Sequence, residues 1–194
     1  MSPADKLFLD AETLLRDSFE LALRVFESGF APTFILGVWR GGTPVGIAVQ
    51  EVLETLRCPT EHFAIRTSSY GGGTEGGPVE VYGLQQVVDL INAEDRLLIV
   101  DDIFDSGRSV AAIIEQLSTR ARANCPSALK GGDIRVATLY YKPARNTTDR
   151  VPDYYVHETD RWTVFPHELR GCTVEELRRT KRLPERYFGM DPEI

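Results

Sequence analysis

The chain has 194 residues, of which 42% are hydrophobic and 26% charged; this composition is typical of one folded domain and excludes disordered, collagen-like and coiled-coil proteins. A formal net charge of −7 argues against a surface dedicated to nucleic acid or to an anionic membrane. Three scattered cysteines outside any CxxC pattern indicate reduced thiols. The N-terminus does not resemble a signal peptide, and no apolar run approaches the roughly 20 residues that span a bilayer. We therefore expect a cytoplasmic protein that acts on a small molecule, with neither nucleic acid nor membrane as a partner.

Hydrophobic periodicity predicts helices and strands that alternate along the chain. A helix over residues 10–27 comes first and ends before Gly29. The later elements are predicted, in chain order, as a strand at 34–38, a helix at 43–56, a strand at 62–68, an extended segment at 79–84, a strand at 97–100, a helix at 108–117, strands at 134–141 and 154–156, and a helix at 174–181. This alternation indicates an α/β domain with a mostly parallel central sheet flanked by helices. Ligands of such sheets bind beyond the carboxyl ends of the strands, which places four neighbourhoods on one rim: those of Trp39, Ser68, Asp101 and Lys142.

The segment 97–109, LLIVDDIFDSGRS, sets carboxylates next to an anion-binding turn. Its turn, Ser106-Gly107-Arg108-Ser109, suits a phosphate, because a helix start offers free N–H groups, the glycine allows close approach and the serines add hydroxyl donors. Asp101 and Asp102 would repel a phosphate and suit ribose hydroxyls or a divalent cation. A 5-phosphoribosyl group satisfies both halves. Two other interpretations stay open from these residues: a strand–turn–helix with Asp105 as N-cap, and the acidic pocket of a receiver domain.

This segment resembles the phosphoribosyl-pyrophosphate (PRPP) motif of the type I phosphoribosyltransferases: four apolar residues, DD, two apolar residues, D, S/T, G, any residue and S/T. The resemblance implies the α/β fold of that family, with a small hood beside the sheet. It also implies a PRPP site in which the 5′-phosphate lies on the turn formed by Ser106, Gly107, Arg108 and Ser109.

The same resemblance assigns roles to the acidic residues. Asp101 and Asp102 would hold the ribose hydroxyls, with Asp102 also near Mg²⁺, the expected cofactor. We expect Mg²⁺ to bind mainly through PRPP and pyrophosphate, because it keeps waters and prefers phosphate oxygens. Asp105 would accept the purine ring proton as the general base.

Two loops resemble further parts of the family's PRPP site. Trp39-Arg40-Gly41 resembles the pyrophosphate loop, in which a non-proline cis peptide is common; it would fall between Trp39 and Arg40, although the large Trp39 departs from the usual pattern. Ser69-Tyr70, before the glycine-rich stretch 71–78, resembles the flexible catalytic loop of the purine members. That stretch is either a lid that excludes water or a disordered hairpin tip.

Two segments resemble the base site of the xanthine-guanine and hypoxanthine phosphoribosyltransferases. Lys142, in a Lys-Pro-Ala run, would donate to the purine 6-oxo group, since an ammonium has only donors and would disfavour adenine. The run Trp162-Thr163-Val164 resembles the hood segment, in which an aromatic ring stacks on the base and backbone groups read its edge. Trp162 would stack on the base, and Thr163 or Val164 would supply the backbone contacts.

The function that these resemblances imply is purine salvage: a 6-oxopurine (hypoxanthine, guanine or xanthine) and PRPP give the nucleoside 5′-monophosphate and pyrophosphate. A PRPP-binding regulator without turnover and a phosphoribosyltransferase for another base remain alternatives. We expect one domain, with a core at about 30–150, a hood at about 151–170 and a C-terminal helical extension at 171–194, that assembles as a homo-oligomer, a dimer or tetramer.

Overall fold

The computed structural model describes residues 6–69, 77 and 79–190. The chain forms two compact units: Asp17–Asp160 makes the larger, and the segments up to Arg16 and from Arg161 onward make the smaller. The sequence prediction places the end of the core near residue 150 and assigns the hood only residues after that point. In the structure the strand that follows residue 150 belongs to the larger unit, because it pairs with the sheet there, and the smaller unit includes an N-terminal segment.

The secondary structure alternates as predicted through most of the chain. In chain order the elements are β1 (Lys6–Phe8), α1 (Ala11–Glu27), β2 (Phe34–Trp39), α2 (Gly42–Thr55), β3 (Glu61–Ser69), β4 (Val79–Tyr82), α3 (Leu84–Leu90), β5 (Leu97–Phe104), α4 (Arg108–Asn124), β6 (Ile134–Tyr141), a 3₁₀ turn (Pro143–Arg145), β7 (Tyr154–Glu158), β8 (Trp162–Val164), α5 (Val174–Thr180) and α6 (Glu185–Phe188).

Six strands of the larger unit form one sheet in the order β4-β3-β2-β5-β6-β7. Each neighbouring pair is parallel except β3 with β4, which confirms the predicted α/β class with a mostly parallel central sheet. The apolar runs of β2 and β5 are buried because a parallel sheet is covered on both faces. Helix α4 turns an apolar stripe at helical spacing into the core, formed by Val110, Ile113, Leu117 and Ala121.

Differences from the predicted elements have simple physical causes. Strand β5 continues to Phe104, whose side chain is buried, so Asp101 and Asp102 lie within the strand and not after it. Asp101 pairs in register with Thr138 of β6. Elements β1, α3, β8 and α6 were not predicted, because segments of three to seven residues are too short to show a reliable hydrophobic period.

In the smaller unit, β1 and β8 form a two-stranded parallel sheet. Thr173 and Glu176 form a reciprocal capping box that begins α5, and Lys6 Nζ lies 2.8 Å from Glu176 Oε2. The buried Lys181 Nζ donates a 2.6 Å hydrogen bond to the Phe165 carbonyl, and burial lowers the pKa of this lysine. Within the described part of the chain, no helix combines the length and apolarity that crossing a bilayer requires.

Candidate active site

The predicted rim exists at the carboxyl ends of the parallel strands. Register pairs Gly37 of β2 with Val100 of β5, and Val100 with Ala137 of β6, so these strands run in step toward the same edge. The loop after β2, the turn after β5 and the segment after β6 therefore leave the sheet at one edge. Ser69 ends β3 on the same rim, whereas Tyr70 and most of the glycine-rich stretch lie outside the described residues.

The loop after β2 presses directly on the acidic pair. A Cβ atom on Gly41 would overlap the Asp102 carboxylate, and one on Gly42 would overlap the Val100 carbonyl oxygen. Glycine is the residue that fits at both positions, which explains the Gly-Gly pair of the sequence. The Trp39–Arg40 peptide is cis, as the resemblance implies, and both side chains of that dipeptide are exposed.

The two carboxylates differ in their surroundings. Asp102 is 8% exposed, and its backbone N–H donates a 3.0 Å hydrogen bond to Asp101 Oδ1. The pKa of Asp101 is raised well above its usual value, first by burial and then by the adjacent charge of Asp102. A ligand hydroxyl or a cation would relieve both effects, which is the chemistry that the sequence predicts for this pair.

The predicted phosphate turn, which runs from Ser106 to Ser109, is built around Gly107, whose φ of +77° is left-handed. A Cβ there would lie 2.5 Å from Thr148 Oγ1 and 2.8 Å from the Phe104 ring. Helix α4 begins immediately afterwards at Arg108. A small cleft of about 80 Å³ at this turn is lined by Asp101, Asp105, Ser106, Gly107 and Ser109, among others. Asp105, the predicted general base, thus shares one cleft with four residues that are predicted to bind PRPP.

The segment that follows β6 packs against this turn. The N–H and the hydroxyl of Thr147 both donate to the Ser106 carbonyl, at 3.1 and 3.0 Å. A trans peptide points its C=O and N–H in opposite directions, so these bonds aim the Gly107 N–H away from Thr147. Thr147 and Thr148 are contacts that the motif alone does not predict, because they come from a distant part of the sequence.

Asp105 lies between two cations. Lys142 Nζ is 3.4 Å from Oδ2, and Arg145 Nε is 2.6 Å from Oδ1. Lys142 is 6% exposed, which is rare for a lysine and shows that this ammonium is held in place rather than extended into solvent. The sequence motifs point to Asp105 and Lys142 but not to Arg145, whose one local signal is its position directly after the Lys-Pro-Ala run.

Arg108 directs its side chain away from the small cleft. Its guanidinium donates a 2.6 Å hydrogen bond to the Gly77 carbonyl and lines a groove of about 680 Å³ along α4. Nearby, Gln116 Nε2 donates to the Val79 carbonyl at 3.1 Å. These two bonds fasten the end of the glycine-rich stretch to α4, so the Arg108 side chain does not line the small cleft. The Arg108 N–H donates a 3.5 Å hydrogen bond to Ser106 Oγ.

In the smaller unit, Trp162 is 47% exposed and Thr163 is buried. The Leu9 N–H donates to the Val164 carbonyl at 3.0 Å, so Val164 faces β1. Because alternate residues of a strand direct their backbone groups to opposite edges, the N–H and C=O of Thr163 face the edge without a partner strand among the described residues. The resemblance offers Thr163 and Val164 as sources of backbone contacts with the base, and Thr163 is the one whose peptide groups face that edge.

The described residues contain no group of three or more His, Cys, Asp or Glu side chains arranged to hold a metal ion. Asp101 and Asp102 nevertheless supply the hard oxygen donors that Mg²⁺ prefers. These two residues would supply part of the coordination of a Mg²⁺ ion, and substrate phosphates and water would supply the rest.

Comparison with known proteins gives a consistent result. A family model described as phosphoribosyl transferase domain matches residues 7–170. The hypoxanthine-guanine phosphoribosyltransferase of Lactococcus lactis subsp. lactis (strain IL1403) is 30% identical over 193 residues, which cover 98% of this chain and 93% of the relative. The crystal structure of a purine phosphoribosyltransferase from Pyrococcus horikoshii Ot3 is 28% identical with a TM-score of 0.64, covering 87% of this chain and 97% of that one. A Helicobacter pylori xanthine-guanine-hypoxanthine phosphoribosyltransferase, 21% identical with a TM-score of 0.62 over 82% of this chain and 91% of its own, shares the fold.

Because of its contacts, we expect Gly107 to tolerate substitution less well than Gly29, a glycine with a similar φ. Gly29 has a φ of +76°, but no atom lies within 4 Å of the place that a Cβ would take, so Gly29→Ala introduces backbone strain alone. Gly107→Ala adds a steric clash, and we expect it to lose about 1–3 kcal/mol more unfolding free energy than Gly29→Ala in urea titrations. Equal losses in the two variants would show that the turn does not pack as described.

The raised pKa of Asp101 predicts a pH-dependent loss of stability. The unfolded chain titrates this group near 3.8, so below that pH both states are protonated and no penalty arises. As the pH rises through the higher pKa of the folded state, the folded chain must hold a buried negative charge on Asp101. The free energy of unfolding therefore falls. In buffer without divalent cations, we therefore expect Asp101→Asn, which keeps an acceptor for the Asp102 N–H, to raise the melting temperature at pH 8 more than at pH 4.

Asp10 provides a control of opposite sign for that experiment. A hydrogen bond from the Thr13 N–H lowers the pKa of Asp10, so its charged form stabilises the fold above pH 3.8. Asp10→Asn should therefore lower the melting temperature at pH 8 and have less effect at acid pH. If the two variants show the same trend, burial does not control the titration of Asp101.

Proposed function

Because this chain belongs to the phosphoribosyltransferase family, we propose that it transfers the 5-phosphoribosyl group of PRPP to a 6-oxopurine. The products are the nucleoside 5′-monophosphate and pyrophosphate. The observation that carries the choice of base is the buried Lys142 ammonium 3.4 Å from Asp105 Oδ2, next to the phosphate turn.

The Lys142–Asp105 pair matches one edge of a 6-oxopurine. Such a base presents a carbonyl oxygen at C6 and, in one tautomer, a proton on the neighbouring ring nitrogen N7. Lys142 donates to the oxygen, and Asp105 accepts the N7 proton. Adenine would place an amino group against the ammonium, so two donors would face one another. The pair therefore favours hypoxanthine, guanine or xanthine over adenine, which agrees with the names of the relatives.

The PRPP end of the substrate has its own set of contacts. The 5′-phosphate binds the turn from Ser106 to Ser109, through N–H groups and hydroxyls, and the Asp101–Asp102 pair accepts hydrogen bonds from the ribose. The exposed Arg40, with the Gly41 backbone, faces the pyrophosphate group. Asp102 is the residue we place beside Mg²⁺; when bound with PRPP, the ion would neutralise charge on the departing pyrophosphate.

The reaction needs positioning and charge stabilisation rather than a covalent intermediate. The bond from the anomeric carbon to pyrophosphate breaks, a bond to the purine N9 forms, and the N7 proton passes to Asp105. The developing positive charge on the ribose is stabilised by nearby carboxylates. Taken by itself, the smaller unit offers an exposed Trp162 ring suited to stack on a flat base and a Thr163 peptide suited to hydrogen-bond its edge.

A panel of bases tests the proposal. The protein is incubated with PRPP, Mg²⁺ and, separately, hypoxanthine, guanine, xanthine, adenine, uracil or no base, and pyrophosphate release is followed. We expect turnover with one or more 6-oxopurines and none with adenine or uracil. Binding of PRPP without turnover on any base would indicate a regulator. Turnover with adenine alone would reject the role of Lys142.

The role of Asp105 predicts a specific kinetic defect. Asp105→Asn keeps the shape of the side chain but cannot accept the proton, so we expect kcat to fall by about 10²–10⁴. PRPP binding, measured by calorimetry, should remain detectable. Asp89→Asn, which alters an exposed aspartate that accepts a 2.7 Å hydrogen bond from Gln85 in α3, serves as the control and should retain full turnover. Normal turnover in Asp105→Asn would exclude this residue as the base.

A further inference from the structure

Arg145 is a charged residue at the site to which the reaction described above gives no role. It ends the short 3₁₀ turn Pro143–Arg145, and its backbone N–H donates to the Lys142 carbonyl at 3.1 Å. Two residues later, Thr147 is hydrogen-bonded to the Ser106 carbonyl. The backbone that carries Arg145 is therefore tied both to the base-recognising lysine and to the phosphate turn.

The two oxygens of Asp105 face different cations at different distances. Arg145 Nε donates a short, charge-assisted hydrogen bond of 2.6 Å to Oδ1, whereas Lys142 Nζ lies 3.4 Å from Oδ2. A base at this edge would meet Lys142 through its 6-oxo oxygen and Oδ2 through its N7 proton, while the stronger contact with Arg145 keeps Oδ1 in place. Arg145 therefore holds Oδ1 of Asp105, and Oδ2 is the oxygen available to a base.

We propose that Arg145 is a positioning residue: by holding Oδ1 it fixes the Asp105 carboxylate so that Oδ2 stays beside Lys142 and accepts the purine proton. This assignment rests on the proposed function. In the step itself the proton leaves N7 and forms a bond with Oδ2 as N9 bonds to the anomeric carbon. Arg145 gains and loses no proton, because a guanidinium stays protonated in proteins.

A merely structural role for this ion pair predicts almost no effect of its removal. The Arg145 side chain is 57% exposed and that of Asp105 37%, and exposed ion pairs contribute little to stability. A positioning role predicts a loss of turnover without a matching loss of stability. Misplacement of a reacting group by about 1 Å can cost about 10²-fold in rate.

The experiment is a double-mutant cycle on the full chain, with kcat, the KM for each substrate and the melting temperature measured for every variant. We expect Arg145→Gln to lower kcat by about 10–100-fold, with the KM for PRPP changed by less than about threefold and the melting temperature preserved. Arg145→Lys, which keeps the charge, should recover part of the loss. In the Asp105→Asn background, Arg145→Gln should have no further effect, because Arg145 acts through that carboxylate.

Arg24→Gln is the matched control. It removes another exposed contact between an arginine Nε and a carboxylate, the 2.8 Å bond to Glu20 in α1, with the same change in net charge. It also removes the 2.6 Å hydrogen bond from the Arg24 guanidinium to the Tyr155 carbonyl, so its melting temperature is compared with that of Arg145→Gln. It should leave kcat unchanged. An unchanged or increased kcat in Arg145→Gln, or additive effects in the double variant, would overturn the assignment while the proposed function stands. Absence of turnover in the unmodified protein on every base would reject the proposed function, and the assignment with it.

Discussion

The candidate site depends on two adjacent aspartates, Asp101 and Asp102, that lie within a strand of the central sheet. Burial of carboxylates is unfavourable unless partners compensate them, and here hydrogen bonds from the backbones of Asp102 and Gly42 offset the burial of Asp101 only in part. The cost is visible in the raised pKa of Asp101. Under the proposed function, ligand hydroxyls or a ligand-borne cation would give Asp101 further compensation, so the burial that weakens the empty protein would favour binding of the substrate.

Three backbone segments pack closely around the candidate site. Gly41 has no side chain because the Asp102 carboxylate occupies that space, and Gly107 has none because Thr148 and Phe104 occupy it. Thr147 then fixes the orientation of the Ser106 carbonyl. Rigid placement of N–H groups before the ligand arrives is what makes a helix start an effective phosphate site. The segment after β6 contacts this turn and also carries Lys142, so under the proposed function it would serve both ends of the ligand.

The sequence was sufficient to predict the α/β class and to identify the segment from Asp101 to Ser109, because that information is local. Hydrophobic runs of four or more residues marked the central strands, and the acidic pair next to a glycine turn indicated two kinds of ligand chemistry. What the sequence could not provide was the contact between distant segments. Arg145 is 40 residues from Asp105 in the chain, and no local pattern links them. The N-terminal strand β1 escaped prediction for the same reason, since its three residues gain their extended structure from β8.

The central claim is that one phosphoribosyl group lies between the Asp101–Asp102 pair and the turn from Ser106 to Ser109. A crystal structure of the protein with a purine nucleoside 5′-monophosphate tests it most directly. We predict density in which the phosphate accepts hydrogen bonds from the N–H groups of that turn and the ribose hydroxyls donate to the two aspartates. Density for the nucleotide at any other place on the molecule, with this turn empty, would contradict the account.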